Sequence, residues 1–225
     1  MKPLLFLLFS CMITYHQDSH KSTIWVDDFD DYAIDAIPAD WKGRKKIAKE
    51  FYKVVHDSER KDNHFLSAHT LNSNMFIIKK MRVDIAKYPY LNWKWRANVF
   101  PPGGDETIKE KCDVVASMNV VLVAVRWRPK TIKYSWSTTL PLFTESRSPF
   151  SRWPARADII VLQSGEEKKR EWITEKVNVL EDYKRLYDKK IVESYTIDAI
   201  VLMSDSDNTG SEAAADYDDI YFSRD

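Results

Sequence analysis

Glycine is scarce in this chain, five residues of 225, and cysteine is scarcer still at two. Neither sign of charge is in excess: Lys plus Arg equals Asp plus Glu at 34 each, for a formal net charge of zero. Proteins that live on nucleic-acid backbones carry a basic excess or a basic stripe, so nucleic acid is excluded as the partner. The one basic cluster, Lys42 to Lys49, is short, runs into Glu50 and reads as a solvated strand edge. No apolar run reaches the roughly 20 residues that a membrane-spanning helix needs. Helical periodicity is nearly absent. Gly-x-Ser-x-Gly, Cys-x-x-Cys and His-Glu-x-x-His are all missing, which removes the commonest hydrolase, redox and zinc-protease signatures.

What is present begins with an export-like leader. Met1-Lys2-Pro3 is a short cationic segment and Leu4 to Phe9 is an apolar run of the kind found in secretory signals. Leu8-Phe9-Ser10-Cys11 resembles a bacterial lipobox with Cys11 as the lipidation candidate, although Phe9 is atypical there. Residues 1–22 are therefore expected to be a signal peptide or lipoprotein leader followed by a polar tether, with periplasmic or outer-membrane-associated localisation. With Cys11 in the leader, Cys112 stands alone and the mature chain has no internal disulfide.

From Ile24 onward, period-2 patterning predicts eleven strands: Ile24–Phe29, Ile47–His56, Phe65–Leu71, Met75–Val83, Tyr90–Val99, Val114–Val125, Lys133–Leu140, Asp158–Gln163, Trp172–Val179, Tyr195–Met203 and Ala213–Phe222. One helix is expected at Leu180–Tyr187, as a crossover. The 23–225 segment thus reads as a single all-β domain, an antiparallel β-sandwich of jelly-roll, galactose-binding-like type. Two connections, Phe100–Asp113 and Pro141–Arg156, exceed the length that compact domains prefer. Phe143, Phe150 and Trp153 in the second fit either a recognition surface or a lid over one end of the core, with the lid reading slightly ahead.

Several ordered motifs carry a family resemblance: Leu91-Asn-Trp-Lys-Trp-Arg96, Lys133-Tyr-Ser-Trp136, Val161-Leu-Gln-Ser-Gly165 and Ser204-Asp-Ser-Asp-Asn-Thr-Gly210. With Val26-Asp-Asp-Phe29, Trp41-Lys42 and Tyr217-Asp-Asp-Ile220, they cover almost the whole mature chain, which resembles the bacterial domain of unknown function 3047 family. The resemblance implies an exported β-sandwich and no inherited activity. Where the family pattern leads one to expect a double Asp and then an Arg entering the central strand, this chain has Cys112-Asp113 and Ser117. Any site using that Arg or the first Asp is weakened here.

Three constellations are candidates for function. On Leu91–Val99, the odd positions Leu91, Trp93, Trp95, Ala97 and Val99 share one face, expected to be core. Asn92, Lys94 and Arg96 share the other, and Ser117 and Asn119 extend this row if the next strand pairs alongside. Such a row either holds sugar hydroxyls by planar hydrogen bonding or is a solvated outer face. Trp136 or Trp153 is the expected stacking platform at its rim. The second constellation is carboxylate. Asp205 to Gly210 mimics the start of a calcium loop but reads better as a tight turn, because the flanks are strands. In sugar-binding sandwiches that this domain resembles, first and last strands lie side by side, so Asp27 or Asp28 meeting Asp218 or Asp219 is a candidate for a structural calcium site.

The third constellation is catalytic and weak. Glu-x-Asp and Glu-x-Glu spacing on a strand is missing, so Asp113 and Glu175 are the carboxylates offered, and only if they meet across strands. His64 and His69 fall on opposite faces of one strand. The expectation is a non-catalytic, exported binding domain for a glycan or cell-envelope polymer. No cofactor is expected beyond a calcium ion, and an N-terminal lipid is the candidate membrane attachment. A glycan-active hydrolase, or a structural envelope protein docking a partner through Pro141–Arg156, is the alternative.

Overall fold

A computed structural model describes residues 22–43, 46–122, 129–187 and 195–225. Cys11 and the leader lie outside the described residues. Thirteen strands are described, numbered β1 to β13 along the chain. One sheet runs in the order β11 (Ile173–Asn178), β6 (Tyr90–Val99), β13 (Glu212–Ser223), β4 (His64–Leu71) and β3 (Tyr52–His56), with β1 (Thr23–Asp27) also paired to β13. The other runs β2 (Lys42–Gly43), β5 (Asn74–Asp84), β12 (Thr196–Asp205), β7 (Val114–Leu122), β8 (Lys130–Ser137), β10 (Arg156–Ser164) and β9 (Glu145–Arg147). The two sheets form the all-β sandwich that the alternation predicts, with one α-helix among the described residues, α1 (Val179–Leu186).

The sandwich departs from a fully antiparallel plan at one pair. β10 lies parallel to β8, and a parallel neighbour needs a crossover of a dozen or more residues. The long connection from Thr138 to Ala155 is that crossover, and it contributes β9 on the way. It is no lid: Phe143 and Phe150 point to solvent, and Trp153 is 80% exposed. The expected strand Ile47–His56 is also shorter, because Lys46–Glu50 forms a 3-10 turn before β3.

The core lies between the sheets. Leu91, Trp93, Trp95 and Ala97 of β6 are buried, as alternation requires, against Met118, Ile132, Tyr134 and Trp136 of the facing sheet. The rings form a continuous chain: Trp93 meets Trp95 edge-on at 5.3 Å, Trp93 meets Tyr134 at 5.8 Å, and Trp95 meets Trp136 at 5.8 Å. Each large ring contributes area burial, and each tilted pair adds about 0.5–1.5 kcal/mol. The helix follows from local sequence as well. Asn178 caps it by accepting from the Glu181 amide at 3.1 Å, Glu181 and Asp182 occupy the first turn, and Lys184 and Arg185 the last.

Two tyrosines tie the sheets together at the backbone. β12 shifts register against β7 between Met203 and Asp205, which opens the ladder inside the core. Tyr217 reaches across from β13: its hydroxyl accepts from the Ser117 amide at 3.1 Å and donates to the Met203 carbonyl at 3.0 Å. Tyr52 likewise donates to the Met75 carbonyl at 2.8 Å and accepts from the Ser204 amide at 3.3 Å. Both phenols are fully buried, and burial pushes their pKa well up, so they remain neutral donors. Tyr217→Phe leaves two buried backbone groups without that partner and is expected to cost about 1–3 kcal/mol. The check is chemical denaturation, in which the midpoint falls while the slope stays unchanged.

Candidate functional site

Pairing of β6 with β13 sets up the outer face of the first sheet. Arg96 lies opposite Asp216, and Lys94 opposite Asp218. The register then slips: β13 takes one more residue than β6 between Asp218 and Tyr221. The extra residue is Asp219, whose φ is 49°, in the left-handed region that Asp tolerates better than most residues. A bulge of this kind re-aims a side chain. Here it brings Asp219 onto the same face as Asp218, where its carboxylate meets the Lys94 ammonium at 2.5 Å.

The same slip marks a change of neighbour. β4 pairs with β13 up to Tyr217, and β1 takes over from Ile220, with Trp25 opposite Tyr221. These two rings lie 4.9 Å apart at 46°, and Trp25 is 53% exposed. The result is a groove of about 430 Å³ crossing β1, β13, β6 and β11, lined by Trp25, Asn92, Lys94, Thr174, Asp219 and Tyr221. That volume is in the range of small-ligand sites. One end is an aromatic wall, the middle an ion pair, and the far side the Thr174 hydroxyl opposite Lys94.

Of the expected polar row, Asn92 and Lys94 belong to this groove and Arg96 does not. Arg96 is pinned by Asp216 at 2.8 Å and stacked against Trp172 at 4.6 Å and Phe65 at 5.1 Å, and Asn98 holds the same Asp216 oxygen at 2.7 Å. Its donors and its planar face are engaged within the fold. Asn92 donates to Ser223 Oγ at 3.0 Å, which fixes the amide in the groove floor.

Ser117 and Asn119 do not extend the row. β7 sits in the other sheet between β12 and β8, because the Phe100–Asp113 connection crosses the sandwich instead of making a hairpin. There, Asn119 donates to Ser117 Oγ at 3.1 Å and to the Val201 carbonyl at 3.2 Å. Neither expected platform serves the row. Trp136 is 1% exposed, packed against Trp95, and donates to the Gly165 carbonyl at 3.1 Å. Trp153 lines a separate depression of about 240 Å³ with Arg147 and Arg156, at the β9–β10 edge of the other sheet. The exposed indole beside the groove is Trp25: in Ile24-Trp25-Val26 the alternation that buries Val26 turns Trp25 outward.

The carboxylates at the strand ends separate. β1 does lie beside β13, yet Asp27, Asp28, Asp218 and Asp219 do not converge on one point. Asp27 accepts from Trp41 Nε1 at 2.7 Å, Lys79 at 2.9 Å, Tyr32 at 3.1 Å and the Phe29 amide at 3.1 Å. Asp28 accepts from the Asp30 amide. Asp218 binds Arg60 at 3.1 Å and Asn63 at 3.2 Å, and Asp219 binds Lys94. Three of the four hold a side-chain cation already, which is the neutralisation that a calcium ion would otherwise supply.

The catalytic candidates stay apart as well. Glu175, on edge strand β11, accepts from Gln163 at 2.8 Å and Trp95 Nε1 at 3.2 Å, and burial raises its pKa. Asp113 is held at the β12–β13 turn by Thr209 and Asn208. Gln163 pairs with Trp136, and Trp136 with Ala116 of β7. Asp113 therefore lies two strands from Gln163, the partner of Glu175, and no contact joins the two acids among the described residues. Cys112 is buried, its thiol pushed up to about 11 by burial, so it is a poor nucleophile.

Residues 39–221 match the family model described as Protein of unknown function (DUF3047). The chain belongs to this family. No curated protein matches the sequence. Among solved structures it is similar to TmCBM61 in complex with β-1,4-galactotriose, at 12% identity over 83% of this chain and 90% of that one, TM-score 0.39. It is also similar to the family 11 carbohydrate-binding module of a Clostridium thermocellum cellulosomal cellulase, at 11% identity over 89% and 93%, TM-score 0.40. A third is endoglucanase cel12A from Rhodothermus marinus, at 9% identity over 80% and 94%, TM-score 0.41. Likeness at this level says nothing about ligand or chemistry in this DUF3047 member.

Asp218, the chain neighbour of the groove residue Asp219, has a pH signature of its own. It is fully buried, and desolvation, with the charge of Asp219, raises its pKa from 3.8 to about 6 despite Arg60 and Asn63. The folded state thus holds this proton more tightly than the unfolded chain. The associated stability is fully present below about pH 4 and is lost as pH rises through 6. Asp218→Asn removes that titration, so urea midpoints measured from pH 4 to 7 are expected to fall less steeply in the variant than in the wild type.

Proposed function

We propose that this protein is an exported, non-catalytic binding domain for a glycan or cell-envelope polymer, held in the groove between Trp25 and Thr174. The observation that supports this reading is Trp25 itself, an indole half open to solvent beside Tyr221 at the mouth of a preformed groove. The C–H face of a pyranose offers an apolar, slightly positive surface, which suits the negative face of an aromatic ring. Lys94, Asp219, Thr174 and Asn92 then present donors and acceptors at the depth where ring hydroxyls would lie. The Lys94–Asp219 pair is well suited to hydroxyls, because a cation offers donors and its carboxylate offers acceptors side by side.

The test is binding of the purified chain to a glycan array and to isolated envelope polysaccharide. Trp25→Ala is expected to weaken retention tenfold or more, about 1.4 kcal/mol or above. Its melting temperature should stay within a degree or two, because the ring is largely outside the core. Lys94→Ala should weaken binding in the same assay. Wild-type protein that retains no glycan, or Trp25→Ala binding as well as wild type, would sink the reading.

Export belongs to this proposal through the cationic and apolar composition of Met1–Phe9, with Cys11 as the residue that would carry a lipid. Expression of the full chain in a bacterium is expected to give a processed envelope-fraction protein. Detergent-phase partitioning lost in Cys11→Ser would identify the anchor.

A second reading has its own observation. Leu142, Phe143, Phe150 and Trp153 are all exposed within one connection, an apolar density that isolated surface residues do not explain. It favours a protein partner docking on Pro141–Arg156, and the discriminating result is a co-purifying protein lost when that segment is replaced, with glycan retention unchanged.

A further inference from the structure

The β12–β13 hairpin, at the opposite end of β13 from the groove, is built around a carboxylate from another part of the chain. Asp113, just before β7, accepts from the Asn208 amide at 3.1 Å, the Thr209 amide at 2.7 Å and Thr209 Oγ1 at 2.6 Å. Gly210, with φ of 62°, closes the turn in the left-handed region. These bonds account for the turn. They leave the two neighbouring carboxylates unexplained. Asp113, Asp205 and Asp207 each place an oxygen within 4.8 Å of the other two. Asp113 is fully buried and Asp205 is 3% exposed.

Asp205 is the informative residue. Its Oδ1 is buried and has no hydrogen-bond partner, and its Oδ2 has only a long contact of 3.4 Å with Asn74 Nδ2. None of the three acids forms an ion pair among the described residues. Burial, with the charges of Asp207 and Asp113 and a contact to the Asp207 carboxyl, raises the Asp205 pKa to about 8 against the pull of Lys133, which makes no bridge to it. This contrasts with Asp27, Asp216 and Asp218, each of which has a cation in contact. A buried acid that faces other carboxylates either keeps a proton or takes a positive ion into the space between them.

We propose that Asp113, Asp205 and Asp207 bind a hard divalent cation of the calcium class, which clamps the Phe100–Asp113 connection to the β12–β13 hairpin. Calcium–oxygen distances of about 2.3–2.6 Å let one ion touch oxygens up to roughly 4.8 Å apart, which matches the observed spread. A carboxylate offers about four lone-pair directions, so Asp113 retains one after its three hydrogen bonds, and Asp205 Oδ1 is wholly available. Asp207 is on the exposed side, where water completes the six to eight ligands that calcium takes. The donor set is all oxygen. That selects against zinc, because Cys112, the nearest soft ligand in sequence, is buried and turned to the Glu106 carbonyl at 3.4 Å. The site is independent of the glycan groove and does not rest on it.

The test uses the full chain, stripped with EDTA and then dialysed, with calcium chloride added back. An ion bound only by the folded state raises apparent stability. At a hundredfold excess over its dissociation constant the melting temperature is expected to rise by roughly 5–10 °C, with one calcium bound per chain by titration calorimetry. Asp205→Asn should abolish both effects. Because that residue is buried, Asp207→Asn is the companion variant: it lies at the surface, should fold normally in EDTA, and should lose most of the rise. Identical melting of wild type in EDTA and in millimolar calcium overturns the proposal. So does a calcium-dependent rise that persists in both variants, which would put the ion elsewhere.

Discussion

The register between β6 and β13 is the constraint on which the rest of the molecule depends. A single pairing decides both faces at once, because side chains alternate along each strand. On the inside it aligns Trp95 with Tyr217, so the indole chain and the tyrosine that completes the β7–β12 ladder are set by one choice. On the outside it aligns Arg96 with Asp216 and Lys94 with Asp218, so every cation of β6 meets an acid of β13. A slip of one residue would put indoles in water and ammonium groups in the core. The facing opposite charges on the outer side hold this register from one face while the indoles hold it from the other.

Charge balance extends the same logic. Equal numbers of acids and bases mean little by themselves, but the pairing shows where they go. Asp27 with Lys79, Asp216 with Arg96 and Asp218 with Arg60 are buried or nearly buried acids, each neutralised by a base with some exposure. Removing one partner from such a pair costs about 3–5 kcal/mol, although the pair as a whole contributes little net stability. These pairs specify which strand lies where. They also dissolve the strand-end calcium site that the sequence suggests, since the acids reach bases from segments far off in the chain. Lys79 is fifty-two residues from Asp27, and Arg60 is 158 from Asp218.

That distance explains what could be read from the sequence and what could not. The alternation of Leu91–Val99 is local, and it places Trp93 and Trp95 in the core and Asn92 and Lys94 on the opposite face. The helix after Asn178 is local too, written in its cap and its charge order. Sheet membership is not local. Ser117 and Asn119 follow β6 closely in sequence, and only the length and the Pro-Pro-Gly-Gly opening of the intervening connection hint that the chain crosses to the other sheet. Trp136 and Trp153 have equal standing as residues, yet one is core and the other surface because of the crossover between them. Trp25 was legible by the same period-2 rule that placed Trp93. A short first strand simply draws less notice than a strand with two indoles.

The bulge at Asp219 connects stability to the groove. A non-glycine residue in the left-handed region carries a conformational cost of order 1–3 kcal/mol, and Asp219 accepts it in the middle of the longest described strand. The Lys94–Asp219 contact offsets part of that cost locally. Without the bulge, β13 would continue in phase, Ile220 would swap faces with Tyr221, and the aromatic wall beside Trp25 would turn into the core. The extra residue therefore does two things that cannot be separated. It lets β13 change partner from β4 to β1, and it opens the space into which Lys94 and Asp219 project. The backbone strain at Asp219 and the open groove beside it are thus two consequences of one inserted residue.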